Sequence, residues 1–160
     1  MAAEGAGEKV HLFTVSATWS GDAQGCGTLH LPEGELSLPV GGSKKLGGCG
    51  IGANPEELMH GAIAACFINT WAIFIKKLSL DHADLTVRVS GDLGPDPAGG
   101  FKLRKVTIHA KVPAALLASQ KALVEKTLSL AEKYCIISKV AKAAMPVVVA
   151  IEESGDRVIG

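Results

Sequence analysis

Apolar residues dominate the stretch Gly52–Ile75, GANPEELMHGAIAACFINTWAIFI, so thoroughly that Asn69 and Thr70 are the only polar positions between Ala62 and Ile75. A helix without a wet side is a buried central helix or a membrane span. This run is too short and too polar-flanked to cross a bilayer, so the pattern predicts a core helix from Pro55 to about Lys77. Its signals agree: Asn54 suits the N-cap, Pro55 the first helical position and Glu57 the capping-box position. Lys76 and Lys77 suit the negative end of its dipole.

Around that helix the period changes. His11–Trp19 mixes β-branched and aromatic residues and reads as a strand, followed by short strands at Gly27–Leu31 and Glu35–Val40 about the turn residues Pro32–Gly34. Asp84–Ser90 alternates, Gly91–Gly100 is all turn chemistry, and Phe101–Val112 is the longest strand signal, so those two strands make a hairpin. Pro113 opens a second helix, Ala114 to about Tyr134, with Leu116, Leu117, Leu123, Val124, Leu128 and Ala131 on its inner side. Cys135 follows, then one or two helical turns, and Met145–Glu152 closes as a strand. The order βββ–α–ββ–αα–β predicts an α+β fold, an antiparallel sheet with a buried central helix.

At 160 residues the chain reads as one domain, 1–160, long enough to bury a core, with residues 1–9 expected to fray. Lys plus Arg and Asp plus Glu are 16 each, and no basic run of five occurs. Nucleic acid and membrane surfaces are therefore not the expected partners. The start has no apolar signal-peptide core, which points to a cytoplasmic protein with reduced thiols. Cysteines at 26, 49, 66 and 135 form no CxxC pair and the five histidines are scattered, so no metal site is expected.

The central helix carries Cys66, and a lone cysteine there reads first as a small core residue. Two features give it another reading. Cys135 sits at a helix end beside Tyr134 and Ser138, where a second thiol can approach. Glu56 opens the central helix, a position that also suits the helix dipole without any further role. Ten residues put Glu56 about 15 Å from Cys66 along the axis. The two share a site only if two copies of the helix lie antiparallel, and a helix lacking a polar face also asks for more cover. Both points favour an intertwined symmetric homodimer. Met59, nearly in line with Cys66, would be an apolar wall. His60 lies about 120° around the helix and reads as packing, not as a base. The loop Gly41–Gly52 is either a flexible connection or a device bringing Lys44 or Lys45 to a site; it has no phosphate-loop spacing.

AxWxG at Ala17–Gly21, GxGT at Gly25–Thr28, NPEEL at Asn54–Leu58, AACF at Ala64–Phe67 and CxxSK at Cys135–Lys139 resemble the OsmC/Ohr family of osmotically induced and organic hydroperoxide resistance proteins, nearer its OsmC branch. The likeness runs from about Phe13 to Glu152. It implies a thiol-dependent peroxidase, homodimeric, with sites at the subunit interface and no cofactor, neither metal, haem nor flavin. Cys66 would attack an organic hydroperoxide and become a sulfenic acid, Cys135 would resolve it as a disulfide, and a small dithiol or lipoyl-type reductant would restore both.

Two departures accompany the likeness. The family's arginine, held by the acid matching Glu56, has no counterpart: no arginine precedes Arg88, and Lys45, or less directly Lys44, is the expected substitute, with Arg104 a weaker candidate. Ile136 stands where the family often has proline. A non-peroxidatic dimer that binds a small apolar or thiol ligand, or senses redox state, is the alternative function. Cys26 and Cys49 read as thiols in glycine-rich turns, or Cys49 as an alternate resolving or sensing thiol.

Overall fold

The computed structural model describes residues 9–80, 84–153 and 157–158. The chain divides into two compact units, Met1–Glu57 and Leu58–Gly160.

The first unit is an antiparallel three-stranded sheet of β1 (Ser16–Ser20), β2 (Cys26–Leu31) and β3 (Leu36–Gly41), in that order. The strand expected from His11 starts only at Ser16. Its register ends at the pair Ser16–His30, and β2 ends one residue later, before Pro32, which has no N–H to extend the ladder. Residues 11–15 therefore have no β2 partner, and Leu12 and Phe13 are exposed. Beyond β3 the glycine-rich segment makes one 3-10 turn, Lys44–Leu46, whose N-cap Ser43 accepts from the Lys45 N–H and which closes on Gly47 at φ 82°. A parallel bridge joins Val40 to Ala53.

Helix α1 (Pro55–Leu78) starts where its caps predict. The Glu57 N–H donates to Asn54 Oδ1 at 2.8 Å and the Asn54 N–H to Glu57 Oε2 at 3.3 Å, a reciprocal box. Within the single chain the helix is buried along one side, as expected of a helix that asks for more cover than one sheet gives. Only Ile63, Phe67, Thr70 and Trp71 are buried, a single stripe at helical spacing, while Ala62, Ala65, Ile68, Ala72 and Ile73 are exposed. One sheet covers one face of a helix, and the apolar remainder of α1 is exposed among the described residues. By length and composition alone α1 is able to cross a membrane.

The second sheet has the order β4 (Thr86–Pro95), β5 (Phe101–Val112), β6 (Val147–Glu153), β7 (Arg157–Val158). β4 begins at Thr86, not Asp84, and runs through the expected turn to Pro95 by way of a register shift at Asp92/Leu93, because the twelve residues of β5 offer a partner throughout. β6 pairs parallel with β5, which corrects the all-antiparallel expectation. Parallel neighbours need a long crossover, and helices α2 (Ala114–Tyr134) and α3 (Ile136–Lys142) supply it.

On one face of β5, Val106, Ile108, Ala110 and Val112 are buried at period two. They join one core cluster with Ile63 and Phe67 of α1 and Leu116, Leu117, Val124, Leu128 and Ala131 of α2. The other face carries a polar chain: Ser90 Oγ to His109 Nε2 at 3.1 Å, His109 Nδ1 to Glu152 Oε1 at 2.8 Å, and Arg88 to the same oxygen at 2.9 Å. The core face fixes α1 and α2 and, through them, the positions of two cysteines.

Candidate functional site

Cys66 is midway along α1, one position before the fully buried Phe67, so its rotation about the helix axis is set by the core stripe. Cys135 is the joint between α2 and α3. Its extended backbone (φ −62°, ψ 114°) ends one helix and caps the next. The Cys135 N–H donates to Ala131 O at 2.9 Å, and its carbonyl accepts from the Lys139 N–H at 3.1 Å. Its sulfur accepts from the Ser138 N–H at 3.3 Å. Cys135 is fully buried, whereas Cys66 is partly open.

The two thiols are hydrogen-bonded neighbours, and their acidities move in opposite directions. Burial pushes the Cys66 thiol up, but the Ile137 N–H, the Cys135 thiol, the Ile136 N–H and the Thr70 hydroxyl together outweigh it and hold Cys66 below the ordinary cysteine value. Burial pushes Cys135 up, opposed by Ser138 and reinforced by the negative charge that Cys66 carries when ionised. Cys66 is therefore the more acidic of the two thiols and Cys135 the less acidic, the one placed to donate when Cys66 ionises. The groups that lower Cys66 are hydrogen-bond donors, with no lysine or arginine among them.

Cys66 opens onto a groove of about 720 Å³ lined by Asn69, Thr70, Ile73, Phe74, Lys77, Tyr134 and Ile136. Phe74 and Tyr134 pack with ring centroids 5.4 Å apart. Lys77 lies over Phe74 at 5.5 Å, with Lys133 and Lys139 over Tyr134 at 5.5 and 5.7 Å. A thiolate beside an apolar, aromatic groove suits a reactant with an apolar body and an electrophilic polar end.

The other expected site residues lie elsewhere. Met59 packs against the core cluster and does not line the Cys66 groove. Glu56 faces a smaller cavity of about 200 Å³, lined among others by Gly42, Ser43, Leu46 and Gly48, and its Oε2 is buried without a hydrogen-bond partner. Lys45 is exposed, and neither it nor Lys44 forms an ion pair with Glu56 among the described residues. Lys44 instead runs over Gly50, whose missing side chain makes the room. Within one chain, then, neither lysine is paired with the acid among the described residues. Arg104 donates to Pro95 O at 2.6 Å within the hairpin, and Arg88 serves Glu152. His60 is packed against Gly91 with its Nε2 buried and unpartnered, and is no base for Cys66.

Sequence reasoning missed the Ile136 and Ile137 amides, Thr70 and the Phe74–Tyr134 wall. Two signals were available. Thr70 stands at the i+4 position from Cys66, where its hydroxyl donates to the Cys66 carbonyl at 2.7 Å. Ser138 stands three residues after Cys135, the spacing of a capping side chain and its N–H. Among the described residues no group of three or more His, Cys, Asp or Glu side chains is placed to hold a metal.

The OsmC-like protein family model matches residues 47–150. The uncharacterized protein YmaD of Bacillus subtilis is 32% identical over 131 residues, 81% of this chain and 85% of that protein. An OsmC organic hydroperoxide resistance protein of Legionella pneumophila superposes with a TM-score of 0.72 at 24% identity, covering 89% of this chain and 99% of its own, a likeness of fold. An organic hydroperoxide resistance protein of Elizabethkingia anophelis, 26% identical, gives 0.67 over 90% of this chain and 99% of its own. By the matched segment, the YmaD identity and the shared fold, the chain belongs to the OsmC-like protein family.

Proposed function

We propose that the protein is a thiol-dependent peroxidase that reduces organic hydroperoxides. The observation that carries this reading is the pairing of a lowered Cys66 thiol with the buried Cys135 thiol beside an apolar groove. The name of the Elizabethkingia relative supports the substrate class.

In the first step the Cys66 thiolate attacks the terminal oxygen of the hydroperoxide. The O–O bond breaks, the alkoxide leaves and takes a proton as the alcohol, and Cys66 becomes a sulfenic acid. The Cys135 thiol then attacks that sulfur, water leaves, and a disulfide forms. A dithiol of lipoyl type reduces it, becoming a disulfide itself and returning two thiols. Backbone donors on the thiolate take the part a cation would play. Fixing Cys135 at the helix joint keeps the resolving sulfur in reach, so the sulfenic acid is short-lived and escapes further oxidation.

The exposed face of α1 supports a homodimer. Ala62, Ala65 and Ala72 are small enough for a second helix to approach closely, and Ile68 and Ile73 supply apolar area. Antiparallel copies would bring the Glu56 carboxylate of one chain toward Cys66 of the other.

Turnover of cumene hydroperoxide with dihydrolipoamide tests the reading. Wild-type protein consumes peroxide catalytically and Cys66→Ser does not. Equal consumption by both, or none by either, removes it.

A further inference from the structure

Two cysteines outside this pair come together in the first unit. Cys26 opens β2 and stands opposite Gly41 of β3 in the antiparallel register. Gly41 donates its N–H to Ala53 O at 3.1 Å, and Pro39 O accepts from the Ala53 N–H at 2.9 Å, so both residues turn their hydrogen-bonding groups away from β2. Cys26 and Gly41 are therefore a non-hydrogen-bonded pair, the closer kind, with Cα atoms about 4.5 Å apart and side-chain directions on one face. Gly41 has no side chain. Cys49 Sγ, arriving from the glycine-rich segment, lies 2.5 Å from the position a Cβ at 41 would take. The loop thus delivers a sulfur to the place from which a residue at 41 would face Cys26. The flanking glycines make this possible: a Cβ on Gly48 would meet Gly42 backbone at 2.3 Å, and Gly50 holds φ +67°. Both cysteines are half-buried, open enough for a small reagent to reach.

We propose that Cys26 and Cys49 are a second redox-active dithiol, separate from Cys66 and Cys135, that closes to a disulfide and ties the glycine-rich loop to β2. The thiolate of one attacks a small-molecule disulfide such as oxidised glutathione, releasing one thiol and leaving a mixed disulfide. The second cysteine attacks that sulfur, a second thiol leaves, and the Cys26–Cys49 bond remains. Two electrons pass from the protein to the small disulfide, giving two small thiols. The consequence falls on Glu56. Gly42, Ser43, Leu46, Gly47 and Gly48, which border its cavity, lie on the chain between the two cysteines, so the bond fixes that wall. Oxidant in the surroundings thereby sets how firmly the Glu56 carboxylate is enclosed, whether or not Cys66 turns over peroxide.

The test uses the full chain carrying Cys66→Ser and Cys135→Ser, equilibrated across ratios of reduced to oxidised glutathione. Both remaining thiols should disappear together, the intact mass should fall by two hydrogens, and trypsin, which cuts after Lys44 and Lys45, should release the Cys26 and Cys49 peptides joined. Wild-type protein, cleaved after Glu57 to separate Cys49 from Cys66, gives the same reading without substitutions. Separate glutathione adducts on both cysteines at every ratio, persistent free thiols, or links only between chains would overturn the proposal. Peroxidase activity does not enter either measurement, so a failure here leaves the Cys66 reading untouched and the reverse.

Discussion

The Cys135 thiol hydrogen-bonds Cys66, and that one contact lowers the pKa of Cys66 while helping to raise the pKa of Cys135. Two chemically identical groups become unequal in acidity through what surrounds them. Cys66 faces four donors from two backbone amides, a hydroxyl and a thiol; Cys135 is fully enclosed and meets the negative charge that Cys66 carries when ionised. A sequence shows two cysteines, and only the packing of α1 against the α2–α3 joint makes them different.

The pH dependence follows with a definite sign. Attack requires the thiolate, and a lowered value means Cys66 ionises at a pH below that of an ordinary cysteine. Alkylation of Cys66 by iodoacetamide should rise with pH and level off early, while Cys135 stays protonated to higher pH. Cys135→Ala removes one of the lowering donors, so the Cys66 curve should move toward higher pH. A curve that stays put, or moves lower, refutes the role given to the contact.

Thr70 is the readiest test of the hydrogen-bond cage. Its hydroxyl has one proton, given to the Cys66 carbonyl at 2.7 Å when Cys66 is neutral and available to the sulfur when it is charged. Thr70→Val keeps the shape and loses about 1 kcal/mol of thiolate stabilisation, or roughly fivefold in peroxide rate at neutral pH, whereas Thr70→Ser recovers it. Stopped-flow rates with cumene hydroperoxide for the three proteins decide; equal rates for valine and threonine would show that the hydroxyl does not reach the sulfur.

Lys45 offers the opposite case. It is exposed on a one-turn helix with no partner at Glu56, so Lys45→Ala should leave the Cys66 ionisation curve within error of wild type. A clear upward move on alkylation would restore the lysine as the site's cation.

Most of the fold is legible from pattern alone, for particular physical reasons. Phe101–Val112 and Ala114–Tyr134 are long, strongly periodic segments, and their expected bounds match the structure. The cap of α1 is equally plain because Asn54 and Glu57 act locally. What fails is whatever depends on a partner. Residues 11–15 have strand composition but no paired strand among the described residues, and Gly91–Pro95 has turn composition but a long neighbour to pair with. Parallel pairing of β6 is a property of the crossover, not of its residues. Within the site, Cys66 and Cys135 carry distinctive local motifs, whereas backbone amides leave no mark in a sequence at all.

The uncovered face of α1 yields a further expectation. Ile73 is 52% exposed on that face, and a charge there has no cost in the folded single chain but a large one against a second helix. Ile73→Glu should convert a dimer to monomer in sedimentation equilibrium, with the far-ultraviolet spectrum preserved. A wild-type protein that sediments as a monomer contradicts the dimer directly.

The central claim is that Cys66 takes the peroxide oxygen and Cys135 resolves it. One equivalent of cumene hydroperoxide added to fully reduced protein, followed by cleavage after Glu57 and peptide mass mapping, examines both halves at once. One alcohol released per disulfide formed, with the link between Cys66 and Cys135, is the expected result. Peroxide left unconsumed, or consumed with Cys66 and Cys135 both still free, contradicts it.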